Sequence, residues 1–401
     1  MAATTTAGED LRTPRTRAAG DGHLWQVDIV RLAAFSGVIA VHSVAWTHPA
    51  GDAVAAGFIY ALQFGREVFF ALTGFVLVYS GRRRPLPVRR FWRRRFPLVL
   101  APYATWTAIY WGYSHGAAGG LGGYLWDLVS GQAEYHLYFL LVTFQLYLVW
   151  PLISRFVERT AGQWKHWLVG VGVLNLGWMA VLEYMAYPGG AAGTFLHTSY
   201  ELLPTYIVYV LAGCYAAAHL DRLHLWLDRN GPLLTRLCGA GLVLGVGVYV
   251  AELPVMSLQG ADSPLQPSMM VMSFAVMGLL YHLGRRWSQG RRRLLGAVQV
   301  GGDISFGVYL AHPLIIAALA AHGLGLGDQI LPSWPATVLM FAGAATGASI
   351  LSYAARRSPL SLALTGRPRP RRPSPAGSDR AGPSQADLAR PGDVAEPADT
   401  A

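Results

Sequence analysis

Ten stretches of the chain are apolar over a length that suits a bilayer: approximately 27–46, 57–80, 96–113, 136–154, 166–186, 200–219, 233–251, 268–283, 303–322 and 334–354. A hydrocarbon layer about 30 Å thick is crossed by about 20 helical residues. The pattern therefore predicts an all-α integral membrane protein, a bundle of about ten transmembrane helices. Residues 1–22 are rich in Ala, Thr, Gly and Arg, and 358–401 in Pro, Ser, Ala, Gly and Asp. Neither holds enough apolar surface to bury a core, so both are expected to be disordered tails flanking a membrane domain over 23–357. Residues 1–22 also lack the apolar centre of a cleavable signal peptide.

Charge fixes the expected orientation. None of the 32 Lys and Arg residues lies in 47–56, 112–134, 187–199, 252–267 or 323–333. The alternate connections hold Arg82, Arg83, Arg84, Arg89, Arg90, Arg93, Arg94 and Arg95, then Arg155, Arg159 and Lys165, then Arg222, Arg229 and Arg236, then Arg285, Arg286, Arg291, Arg292 and Arg293. Short loops rich in Lys and Arg stay cytoplasmic, which predicts a multi-pass cell-membrane protein with both termini inside. Composition agrees: 13% charged residues, 53% apolar ones and a mean hydropathy of +0.33 depart from a soluble domain, where about 25% is charged. The net charge of +10 is then a topology signal and a contact for anionic lipid; no folded basic surface suggests nucleic acid. Cys214 and Cys238 fall in or beside spans and read as small core residues.

Four groups of polar residues interrupt the apolar windows. "VDIVRLAAFSGVIAVHSVAW" (27–46) carries Arg31 and His42, eleven residues apart. That is three turns plus about 20°, so they share a helix face about 16 Å apart along the axis. "FGREVFFALTGF" carries Arg66 and Glu67 near the middle of the second window, and a run of arginines over 82–95 leads into "FPLVLAPYATW". "ISFGVYLAHPLII" carries Ser305, Tyr309 and His312 at i, i+4 and i+7, one face of a helix. Titratable groups cost kilocalories in lipid and face a protein interior or a watery cavity. His42, Glu67 and His312 count to a comparable depth, which suggests one shared polar cavity.

Plainer readings stand beside these. A single histidine can simply bond a neighbouring helix, and the arginine run can be a topology anchor alone. Pro313 can be no more than a kink that frees the Tyr309 carbonyl. Adjacent Arg66 and Glu67 point about 100° apart, which disfavours a direct pair and leaves Glu67 as a counter-ion to either Arg66 or Arg31. His136 and His197 lie toward the outer ends of their windows, as interface anchors do, and the Trp and Tyr at window edges fit an aromatic belt.

Taken together the segments resemble the membrane-bound acyltransferase-3 family. Arg31 and His42 resemble its R-x10-H signature, "FFALTGF" (69–75) its FFxxSGF stretch, and "RRRFPLVLAPY" (93–103) its basic third-helix entrance. "HLYFLLVTFQLYLVWPLI" (136–153) is similar to its HLWFL segment and "ISFGVYLAHPL" (304–314) to its SYxxYLxHP segment. The departures are Thr73 for Ser, Tyr138 for Trp, Phe306 for Tyr, and Leu98 where many members carry a second arginine. The resemblance implies O-acylation: transfer of an acyl group, acetyl by expectation, from cytoplasmic acyl-CoA to a hydroxyl of a glycan, lipid or secondary metabolite. No tightly bound cofactor or metal is implied. Arg31, Arg94 and Arg95 would meet the acyl-CoA phosphates, since guanidinium forks match phosphate oxygens. His42 would act as general base, with Glu67 orienting it, and His312 or Tyr309 donating to the thioester oxyanion or the leaving thiol. The competing readings are a transporter or flippase with an intramembrane polar pathway and no chemistry, and a non-catalytic protein that keeps the fold.

The charge pattern makes a direct prediction. Cysteine labels placed near positions 120, 193, 260 and 328 should react from outside the cell; labelling of any of them only from the cytoplasm overturns the map.

Overall fold

A computed structural model describes residues 23–116, 120–290 and 294–370. The described part is 84% helix with no strand. In chain order the helices are α1 (Trp25–Thr47), α2 (Ala53–Leu62), α3 (Gly65–Arg83), α4 (Val88–His115), α5 (Leu121–Ser130), α6 (Tyr138–Thr160), α7 (Trp164–Tyr184), α8 (Gly190–Thr198), α9 (Ile207–Ala218), α10 (Leu220–Glu252), α11 (Leu258–Ala261), α12 (Pro267–Gln289), α13 (Leu295–Leu319), α14 (Ser333–Arg357) and α15 (Ser361–Thr365).

Every apolar window falls on a helix, though length and hydropathy do not mark ten separate spans. Among the described residues seven helical stretches are long and apolar enough to cross a membrane, or eight if the pair Gly190–Glu201 and Leu203–Ala218, bent by 46°, forms one span. Two windows make the difference. α6 and α7 run together through the turn at Ala161–Gln163 as the single stretch Tyr138–Tyr184. α4 opens with Arg89, Arg90, Arg93, Arg94 and Arg95, continues through Pro, Thr, Tyr and Trp, and is not among the qualifying stretches. The second window is also broken, with α2 and α3 parted at Gln63–Phe64.

α1 is the hub. It packs against α2, α3, α12, α13 and α14, and Val30, Ala34 and Ile39 on it are buried. In lipid there is little hydrophobic drive between helices, so close approach through small residues does much of the holding. α3 meets α9 in this way: a Cβ on Gly74 would run into the Val210 carbonyl, and one on Gly213 into the Ala71 carbonyl. Both cysteines are free and buried.

Proline inside a helix leaves the carbonyl four residues back without its N–H partner. Pro151 in α6 frees Tyr147, and that oxygen accepts from the Trp92 indole Nε1 at 2.8 Å. The bond ties α4 to α6.

The expected boundary at 357/358 needs correcting: the chain is folded through Pro370. Asp303 on α13 binds both Arg356 (Nε, 2.9 Å) and Arg367 (Nη1, 2.7 Å). Arg356 also donates to the Ser361 hydroxyl and to the Pro368 carbonyl. Trp106 of α4 donates to the Leu364 carbonyl at 3.0 Å. Gly366 ends α15 at φ +62°, and a Cβ there would lie 2.6 Å from the Leu98 carbonyl, so only glycine fits. Poverty in large apolar residues hid this segment, because its attachment is polar. Residues 1–22 and 371–401, the other expected tail segments, lie outside the described residues.

Truncation after Arg357 should therefore lower the thermal midpoint of the purified protein, while truncation after Pro370 should leave it unchanged. The Trp106 indole alone, left buried without its acceptor, costs about 1–3 kcal/mol. Equal midpoints for the two truncations would restore the boundary at 357.

Candidate active site

His312 lies in the middle of α13 and is fully buried. Pro313 frees the Tyr309 carbonyl, and His312 Nδ1 lies 2.6 Å from that oxygen. A carbonyl only accepts, so Nδ1 carries the proton and Nε2 is left as an acceptor. Nε2 is buried and has no hydrogen-bond partner. The kink and the histidine are thus one device, which sets the tautomer of a buried imidazole.

Two more histidines close around it. The His42 ring stacks on His312 with centroids 5.4 Å apart and lies 4.4 Å from the Tyr135 ring. His136 stands edge-on to His312 at 5.6 Å and to Tyr309 at 5.2 Å. It is buried, with neither ring nitrogen hydrogen-bonded. His136 was expected at the interface; the structure brings it into the cluster, because residues 131–137 turn inward before α6 begins. Its sequence signal was the segment "EYHLYFL" itself, discounted for lying at the end of a window. Tyr110 of α4 supports the cluster, with its ring 5.4 Å from His136 and its hydroxyl donating to the Leu310 carbonyl at 2.7 Å. Among the described residues no three His, Cys, Asp or Glu are arranged to hold a metal ion.

Glu67 is not part of the cluster. Its carboxylate accepts from Arg66 at 2.6 Å (Nη2) and 3.0 Å (Nε), and it makes no hydrogen bond to His42 among the described residues. The pair disfavoured on helix geometry does form, since Arg66 sits in the first turn of α3, where its long arm can fold back. Arg66 also donates to the Tyr138 hydroxyl and the Pro264 carbonyl and lies over the Tyr206 ring. Glu67 near the helix N-terminus is further favoured by the macrodipole. The ring contacts thus join His42 and His312, while Glu67 is paired with Arg66 and keeps a buried Oε2 without a hydrogen-bond partner among the described residues.

Tyr309 and His312 also part from the donor role expected of them. The Tyr309 hydroxyl donates to the His136 carbonyl at 2.9 Å, and the His312 N–H is engaged as described. Neither has a hydrogen free for an oxyanion in this arrangement. Ser305 bonds the Gly302 carbonyl of its own helix.

Cavities lie on both sides of the cluster. On the arginine-rich side a cavity of about 910 Å³ is lined by Arg31, Arg356, Arg357, Arg367 and Arg369, with Asp28 and Asp303 among them. Asp28, unremarked in the sequence, binds Arg31 at 2.8 Å and His23 at 2.6 Å. A narrower cavity of about 230 Å³ shares Arg31 and Arg367 and reaches Thr73, Thr143, Ser305 and Tyr309. On the other side a cavity of about 630 Å³ is lined by His42, Trp46, Tyr113, Tyr135 and Asp328. Tyr309 thus faces one side and His42 the other, with His312 and His136 packed against them. Arg94 and Arg95 do not stand with Arg31. They line a separate cavity, of about 370 Å³, with Arg82, Arg84 and Arg155, because α3, α4 and α6 wall it in rather than α1.

The family model for the acyltransferase domain (acyltransferase-3) matches residues 24–353. The chain belongs to that family. A Bacillus subtilis (strain 168) protein named "Putative membrane-bound acyltransferase YfiQ" is 21% identical over 224 residues, covering 54% of this chain and 57% of that protein. The chain thus spans a little over half the length of this relative. No solved structure matches. The family match begins at the first turn of α1 and stops within α14, so the histidine cluster lies inside it and α15 with Arg367 outside.

Tyr309→Phe tests the reassignment of the tyrosine. Loss of a bond to a backbone carbonyl should cost about 1 kcal/mol of stability and change turnover less than about tenfold. A loss of 10² or more, the scale of a removed oxyanion donor, would return Tyr309 to the chemistry.

Proposed function

We propose that the protein is an O-acyltransferase that takes an acyl group from acyl-CoA on the arginine-rich side and delivers it to a hydroxyl arriving from the other. One observation carries the reading: in a chain of the acyltransferase family, a buried histidine cluster separates a basic cavity from an aromatic one. Acyl-CoA is a polyanion on a long thin arm. Arg31, Arg356 and Arg367 suit its phosphates, and the narrow cavity beyond them suits the arm. The positive-inside rule makes the arginine side cytoplasmic, where acyl-CoA is made.

The hydroxyl proton must leave as its oxygen attacks. His42 opens on the outer cavity and has no hydrogen bond that would occupy it, so it serves as the base. The new O–C bond forms, the C–S bond breaks, and the proton held by His42 passes to the leaving thiolate, releasing free CoA thiol. His312, its ring stacked on that of His42, holds the base in place. His136 has one N–H unengaged in its neutral form and takes the oxyanion role first expected of Tyr309 and His312. Acetyl as the acyl group, and a glycan, lipid or metabolite hydroxyl as the acceptor, remain part of this proposal.

A transporter with the same cavities would move its substrate unchanged, so transfer of label from acetyl-CoA decides between the two. His42→Ala should insert normally and lose transfer by about 10²–10⁴. Arg31→Ala and Arg367→Gln should raise the KM for acyl-CoA, and saturating donor should largely rescue them but never His42→Ala. Near-normal transfer by His42→Ala would move the base to His312.

A further inference from the structure

The cavity holding Arg94 and Arg95 is unlike the one holding Arg31. Around the larger basic cavity three of the five lining arginines are held by carboxylates: Arg31 by Asp28, and Arg356 and Arg367 by Asp303. Around the other cavity Arg82, Arg84, Arg94, Arg95 and Arg155 face a single carboxylate, Glu158; among the described residues none of the five is in an ion pair, and Arg82 donates to the Ala218 carbonyl. The two cavities have no lining residue in common. Five like charges around about 370 Å³ repel one another and call for a multivalent anion.

The walls narrow the choice of anion. Leu77, Val78, Phe91, Trp150 and Val157 line the same space, and Phe91 stacks on Trp150 at 6.3 Å. A small inorganic anion would gain nothing from these surfaces, whereas the glycerol backbone and first methylenes of a lipid would be covered by them; the adenine of a nucleotide could use only the two rings. The cavity is formed where α3 and α6 end and α4 begins, with its arginines at those ends. Headgroup phosphates lie at that level of a bilayer, and basic pockets between spans on this side hold anionic headgroups.

We propose that this cavity is a binding site for the phosphate headgroup of an anionic glycerophospholipid, separate from the site of the acyl donor. The Arg94 and Arg95 forks face the phosphate, Arg84 and Arg155 close the rim, and Trp150 and Phe91 cover the glycerol. The site does not depend on the acyltransferase reading, because an idle fold would keep it.

The test uses the full chain in nanodiscs containing phosphatidylcholine with about a quarter phosphatidylglycerol, followed by native mass spectrometry. Wild type should retain phosphatidylglycerol in preference to phosphatidylcholine. Arg84→Gln with Arg155→Gln should weaken that retention by roughly tenfold to thirtyfold, at about one kilocalorie per arginine near the surface. The same double variant should leave the KM for acyl-CoA unchanged, and CoA added in excess should not displace the lipid. Displacement by CoA, a raised donor KM with lipid retention intact, or equal retention by variant and wild type would each overturn the proposal. Should the variant fold poorly, displacement by CoA from wild type still decides the matter.

Discussion

The Tyr309 carbonyl governs the centre of this molecule. In a bilayer a backbone oxygen without a partner costs several kilocalories, and Pro313 removes the partner that this one would ordinarily have. His312 supplies the replacement from its own side chain, one turn along the same helix. The debt of the backbone thereby decides which imidazole nitrogen holds the proton. A histidine free to choose its tautomer would divide its population and present a usable lone pair only part of the time; this one is committed. The Tyr309 hydroxyl, reaching across to the His136 carbonyl, then fixes the start of α6 against α13 and brings the third imidazole in. The same solution recurs at Pro151, where a tryptophan rather than a histidine takes the freed oxygen.

How far the sequence could be read follows from the range of each interaction. Arg31 and His42 were legible because eleven residues on one helix settle both spacing and face, and the structure sets them toward opposite cavities. Comparable depth put His42, Glu67 and His312 at one level, but depth says nothing of azimuth: the rings of His42 and His312 meet, while Glu67 pairs with its neighbour Arg66, which also reaches Tyr138. His136 was missed because the window rule treats its position as interface, whereas the tight turn before α6 folds it inward. The last folded segment was missed for a different reason. Hydropathy reports burial in oil, and residues 358–370 are held by ion pairs and carbonyls.

The arginines divide into two populations with different physics. Those at Asp28 and Asp303 are held in place before any ligand arrives, so little side-chain freedom is lost when an anion binds. Those around the cavity of Arg94 and Arg95 have no carboxylate paired with them among the described residues, Arg82 being tied instead to the Ala218 carbonyl, and they suit a counter-ion that is always present. The sequence conceals this division for Arg356 and Arg367, because their carboxylate, Asp303, lies more than fifty residues away.

The large basic cavity is assembled from the two ends of the described chain. Arg31 belongs to the first helix and Arg367 to the segment after the last span, and they line the same cavities. During synthesis the first helix reaches the membrane long before residue 367 leaves the ribosome. The cavity is therefore incomplete until every helix between them has been inserted, and a partly built bundle presents only part of its basic lining.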